Sequence, residues 1–148
     1  MTTDPTGPRS AVPWDGEPQR LQDANTAFVN GDPEPYKELW HRGDDISLMS
    51  AYGGITTGWA SVAAHFDAIA VQCRDWQGVF EQTPVQEVVT AETACVVRRQ
   101  RTHDRVSGTT AERRVTLLYR LLEGRWRIVH QHSDPFVRET PPIEPRAS

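Results

Sequence analysis

From Trp76 to Ser133, apolar and polar residues alternate with a period of two, interrupted only by short turn signals. That pattern admits little besides consecutive antiparallel strands. Residues 76–82 and 85–90 read as one long strand broken at Pro84, where a missing N–H forces a bulge or an edge. Three further strands follow at 93–103, 110–122 and 125–133, with Val106-Ser107-Gly108 and Glu123-Gly124 as the hairpin turns between them.

The period changes upstream of this meander. Leu21, Ala24, Phe28 and Val29 recur at helical spacing within 17–30, and Asn30-Gly31 closes that helix. Asp32 caps a short second helix that starts at Pro33 and ends near Trp40. Residues 45–52 alternate like a strand, and Gly53-Gly54 turns it into a brief return at 55–57. A third helix over 58–74 carries a stripe of Trp59, Val62, Ala63, Phe66, Ile69, Ala70 and Cys73. Helices and a small hairpin followed by a run of strands imply an α+β domain, not a doubly wound parallel sheet.

Eight of the 11 prolines lie before residue 19 or after residue 134. They set off two expected tails, 1–16 and 137–148, from a single domain at 17–136. The N-terminus lacks the basic and apolar regions of a signal peptide, and no apolar stretch is long enough to span a bilayer, so the cytoplasm is the expected compartment. Cys73 and Cys95 then read as buried free thiols. A net charge of −4 argues against nucleic acid as a partner.

The two hairpin turns fix a register. Arg98 falls opposite Val115 and Val96 opposite Leu117; Leu121 falls opposite Trp126, Tyr119 opposite Ile128, Leu117 opposite His130 and Val115 opposite His132. One face then carries these apolar residues together with Arg98, His130 and His132. The other face carries Arg99, Arg101, Arg114, Arg120, Arg125 and Arg127, with Glu112 opposite Arg101. The first face grades from Leu121, Trp126 and Ile128 at its dry end to His130, His132 and Arg98 at its polar end, as a sheet lining a cavity should.

Several segments resemble the SnoaL-like branch of the nuclear transport factor 2 superfamily. They are Trp40 with Asp44-Asp45-Ile46-Ser47-Leu48-Met49, then Tyr52-Gly53-Gly54 and Gly58-Trp59-Ala60-Ser61-Val62, Leu118-Tyr119-Arg120, and the closing Gly124-Arg125-Trp126-Arg127-Ile128-Val129-His130-Gln131-His132-Ser133. The resemblance covers about residues 17–136 and implies a cone: a strongly curved antiparallel sheet wrapped around N-terminal helices, with an interior pocket and commonly a homodimer through the outer sheet face. Polyketide cyclases, ketosteroid isomerases, epoxide hydrolases and dehydratases share the superfamily with transport adaptors and a kinase association domain, so the fold alone does not select an activity.

His130 and His132 are the leading candidates for acid/base work, since i, i+2 spacing on a strand points both rings to one side. The same pair could be structural, and as a metal site it lacks ligands, so no metal or other cofactor is expected. Tyr119 could donate to an oxyanion, Arg98 could bind an anionic group, and Trp40, Trp59 and Trp126 could wall a pocket. The inward positions of the last three strands offer no Asp or Glu, the base that isomerase-type enzymes use. Three readings follow: a protein that binds a small hydrophobic or carboxylated molecule; a cofactor-independent isomerase, cyclase or dehydratase with a His acid/base; or a dimerisation domain with a vestigial cavity.

Overall fold

The computed structural model describes residues 11–137 and 139. Three helices, α1 (Glu17–Phe28), α2 (Glu34–Glu38) and α3 (Trp59–Gln72), lie against a curled, unclosed sheet of six strands. The strands are β1 (Ser47–Ser50), β2 (Gly53–Thr57), β3 (Gly78–Val89), β4 (Thr93–Asp104), β5 (Thr110–Leu122) and β6 (Arg125–Pro135). Their order is β2-β1-β6-β5-β4-β3. The meander is as expected from the alternation. The small hairpin joins it edge-on, β1 running parallel to β6 through Ser47↔His130, Leu48↔Gln131 and Met49↔His132. Among the described residues no helix is long and apolar enough to cross a membrane.

The concave face is the core. Val96, Val115, Leu117, Tyr119 and Ile128 from the strands meet Leu21, Ala24 and Phe28 of α1 and Val62, Phe66 and Ala70 of α3. Four rings interlock edge to face at its centre: Phe66 lies 5.9 Å from Phe28, 5.2 Å from Tyr36 and, tilted, 5.4 Å from Trp40. Glu123 (φ 51°) and Gly124 (φ 77°) both sit in the left-handed region, which gives the β5–β6 hairpin the turn that matches strand twist.

The end of the expected first tail, 11–16, is packed against the domain. Residues 1–10 lie outside the described residues, as do 138 and 140–148. Val12 N–H donates to the Gly124 carbonyl and its own carbonyl accepts the Trp126 indole N–H at 3.0 Å. Trp14 stands edge-on to Tyr119 and Trp126, 4.9 and 5.2 Å away. An indole can cover apolar surface that proline-rich backbone cannot, and this one caps the narrow end of the cone.

Two bulges decide which side chains face inward. In β3 the register slips between Pro84 and Gln86, as the proline implied. In β6 Tyr119 pairs with Ile128 but Leu118 pairs with His130, so Val129 is an extra residue. Beyond it every side chain of β6 changes face. Ile128 is held on both sides of the slip by the segment after α2: its N–H donates to the Leu39 carbonyl and its carbonyl accepts the His41 N–H.

The convex face carries the arginine excess, and three of these side chains are paired: Arg99 with Glu112 at 2.9 Å, Arg101 with Glu81 at 3.4 Å, and Arg114 with both carboxylate oxygens of Asp134. Leu118 and Val97 sit among them, on the face where a second copy was expected to dock.

Candidate functional site

The open end of the cone holds a cavity of ≈ 230 Å³. Its floor is aromatic and apolar, made by Phe28, Tyr36, Phe66, Ile69, Trp76 and Phe80. One wall is polar, made by Gln100, Thr102, Arg113, Gln131 and Ser133. The exposed residues Tyr52, Gln72 and Thr109 form the rim. The volume exceeds the roughly 150 Å³ that admits a benzene ring.

The polar wall follows from the strand registers. On β4 and β5 alternation continues past the apolar core, so Gln100 pairs with Arg113 and Thr102 with Ala111, all on the concave side. On β6 the Val129 bulge presents Gln131 and Ser133 opposite Leu117 and Val115. These side chains form a chain of hydrogen bonds: Tyr36 O–H donates to Gln131 Oε1, and Gln131 Nε2 donates to Ser133 Oγ at 3.1 Å. Ser133 is thereby an acceptor within the wall and keeps its own hydroxyl proton for a guest. Burial pushes the Tyr36 phenol well above its ordinary range, against a smaller opposing effect of the Trp40 indole. The Cys73 thiol, also on the wall, is raised by burial, with Arg113 acting in the opposite direction. Both groups are therefore neutral donors at physiological pH.

The expected pairings Leu117–His130 and Val115–His132 are corrected. The bulge turns both imidazoles to the convex side, where His130 lies opposite Leu118 and His132 opposite Thr116. His130 Nδ1 is 2.7 Å from Ser47 Oγ, and His132 is exposed. Burial, and secondarily repulsion from His132, lowers the His130 pKa despite the Ser47 bond, so the neutral ring is the favoured form in the fold.

The other expected site residues are also placed elsewhere. Arg98 does point inward and is 5 % exposed, but its guanidinium is taken by Glu87 at 2.9 Å, away from the cavity. Sequence alternation could not supply that partner, because the Pro84 bulge shifts the frame of β3. Tyr119 and Trp40 are core residues, each 1 % exposed. Trp59 stacks under Arg42 at 4.8 Å outside the cavity. Trp126 lines a second hollow at the narrow end, beside Glu17, Arg20, Arg125 and Arg127. There burial raises the Glu17 carboxyl, with the three arginines acting in the opposite direction.

Among the residues that sequence reasoning missed, Arg113 was accessible, being two positions before the inward Val115. Gln131 and Ser133 carried no signal, since simple alternation faces them outward. An inward acid does stand at the end of β4: Asp104 is 3 % exposed. Its oxygens are consumed by its own loop, accepting from Ser107 Oγ (2.7 Å) and from the backbone N–H groups of Gln77, Val106 and Ser107. The Ser107 hydroxyl, with those N–H groups, holds its carboxyl down at about 2. Among the described residues no three His, Cys, Asp or Glu side chains converge as a metal site requires.

A SnoaL-like domain profile matches residues 19–137. No curated protein matches the chain. Solved structures with this architecture include a candidate calcium/calmodulin-dependent protein kinase type II association domain from Thiobacillus denitrificans (TM-score 0.69, 20 % identity, 81 % of this chain and 95 % of that one). An NTF2-like protein of unknown function from Pseudomonas putida aligns at TM-score 0.68 and 20 % identity over 88 % of this chain and 95 % of that one. A candidate dehydratase of the NTF2-like family from Streptomyces avermitilis aligns at 0.66 and 21 % over 84 % and 99 %. At these identities the likeness is one of fold. With the profile spanning the whole described sheet and all but the start of α1, the chain belongs to the SnoaL-like family.

Proposed function

We propose that the protein binds a small organic molecule in the cavity at the open end of the cone. The observation that carries this reading is the division of the cavity into an aromatic floor and a hydrogen-bonding wall, with space between them left unfilled by side chains. Well-packed interiors leave few voids larger than a water molecule, and the aromatic lining distinguishes this one as a place for an organic guest. Binding is favoured over isomerase, cyclase or dehydratase chemistry. Among the described residues, the cavity lining includes no Asp, Glu or His, the half-buried His65 standing behind it against the Ser50 hydroxyl at 3.0 Å, and the lining groups Tyr36 and Cys73 are held neutral. A general base near physiological pH is what such chemistry requires.

Titration with the neutral fluorophore 2-naphthol tests the reading. One equivalent should bind the wild-type protein, and Ala111→Trp, which projects an indole from β5 into the cavity, should reduce affinity at least about tenfold. His132→Ala should leave affinity unchanged. Undiminished binding by a folded Ala111→Trp variant, or no binding by the wild type, would count against the cavity as the site.

A further inference from the structure

The polar wall contains one full positive charge, and its surroundings leave it unanswered. Arg113 is half-buried on the concave face of β5, between Gln100 on β4 and Pro135 on β6. Four other arginines of β4 and β5 have acids: Glu87 for Arg98, Glu112 for Arg99, Glu81 for Arg101 and Asp134 for Arg114; Arg120 has none among the described residues, but it is exposed and lies outside the cavity. Among the described residues Arg113 makes no ion pair and no side-chain hydrogen bond. The acid at its end of the cone, Asp104, spends its oxygens on the 105–107 loop and on Gln77. A guanidinium brings five N–H donors in a planar fork, and holding it in a partly desolvated wall without an acceptor is unfavourable. Its neighbours on the wall, Gln100, Thr102 and Ser133, add neutral donors but no negative charge.

From this arrangement we infer that the ligand is an organic anion, a carboxylate of one or two rings, whose acid group is received by Arg113 while its apolar body lies over Phe28, Phe66, Phe80 and Trp76. The inference rests on the cavity being the ligand site and adds the class of molecule it takes. Arg113 matches the two oxygens of a carboxylate side by side, a geometry that a lysine or an amide cannot reproduce. The Ser133 hydroxyl, which accepts from Gln131, keeps a proton that it can donate to the same group. Cavity size sets the limit on the rest: beyond about two rings the ligand must emerge past Tyr52 and Gln72 at the rim.

The matched pair 2-naphthoate and 2-naphthamide separates the charge from the body. At neutral pH the wild-type protein should bind the carboxylate about ten- to a hundredfold tighter than the amide, the range of a charge-assisted hydrogen bond. Arg113→Met keeps the apolar stem and should abolish that preference with little change in amide affinity. Arg113→Lys should restore part of it, and thermal melting of both variants verifies that they fold. Equal affinities for the two probes in the wild type, or a carboxylate preference that survives in Arg113→Met, would overturn the anion assignment and leave the cavity reading standing. Failure of both probes to bind the wild type would overturn both.

Discussion

Replacing Phe66 with alanine is expected to destabilise the protein by about 3–5 kcal/mol. Phe66 is 3 % exposed and sits where all three helices converge on the sheet. Its ring is edge-on to Phe28 of α1 and Tyr36 of α2 and tilted against Trp40, so a single truncation removes the ring that α3 sets against both of the other helices. The loss combines the transfer energy of the ring with a hole that these rigid neighbours cannot collapse into. Against a total stability of roughly 5–15 kcal/mol, that is a third or more for a marginal domain. Urea unfolding followed by far-UV circular dichroism measures it as a lower midpoint at unchanged slope. Phe66→Leu, which retains most of the volume, should recover more than half of the loss. A midpoint shift of under about 1 kcal/mol in Phe66→Ala would mean that the ring cluster is not the keystone of the helical layer.

Gly78→Ala is expected to cost about 3 kcal/mol or more, although it adds one methyl group. The first residue of β3 passes under the end of α1 so closely that a Cβ there would lie 2.2 Å from the Val29 carbonyl oxygen and 2.8 Å from its carbon. Neither atom can swing aside, because both belong to backbone. The approach is pinned by Asn30, whose Oδ1 accepts the Gly78 N–H at 2.8 Å and whose Nδ2 donates to the Gly78 carbonyl at 3.1 Å. Pushing the strand away sacrifices both bonds and loosens Phe28, Val29 and Phe80, which line the cavity. Gly16→Ala is the control: its Cβ would meet nothing within 4 Å, and a change within about 0.5 kcal/mol is expected. Equal melting temperatures for the two variants would contradict the tight passage at Gly78.

Most of the fold was legible in the residues because its signals are local. The turn at Val106-Ser107-Gly108 fixes the pairings Val96–Leu117 and Arg98–Val115, and the turn at Glu123-Gly124 fixes Tyr119–Ile128 and Leu121–Trp126, all of which the structure has. The β3 bulge was readable because Pro84 announces it. The β6 bulge was not: Ile128-Val129-His130 contains no glycine or proline, and the slip is held by bonds from Leu39 and His41, nearly ninety positions away in the chain, together with the parallel edge of β1. One inserted residue then reverses a whole strand end. The candidate site suffered most from it, since the two conspicuous imidazoles stand outside while the plain Gln131 and Ser133 stand inside. Arg98 misled for a related reason, its counter-ion Glu87 coming from a strand whose frame another bulge had shifted.

The reversal of β6 at Val129 is what everything said of the cavity depends on, and thiol accessibility reads it directly. In a background with Cys73→Ser and Cys95→Ala, single cysteines are placed at positions 132 and 133 and timed against 5,5′-dithiobis(2-nitrobenzoate) under native conditions. His132→Cys should react at close to the rate of the unfolded chain, since His132 is exposed. Ser133→Cys should react at least about a hundredfold more slowly, its side chain being 4 % exposed within the concave wall. A rapidly reacting Ser133→Cys beside a protected His132→Cys would put the histidines back inside and the cavity wall described above outside.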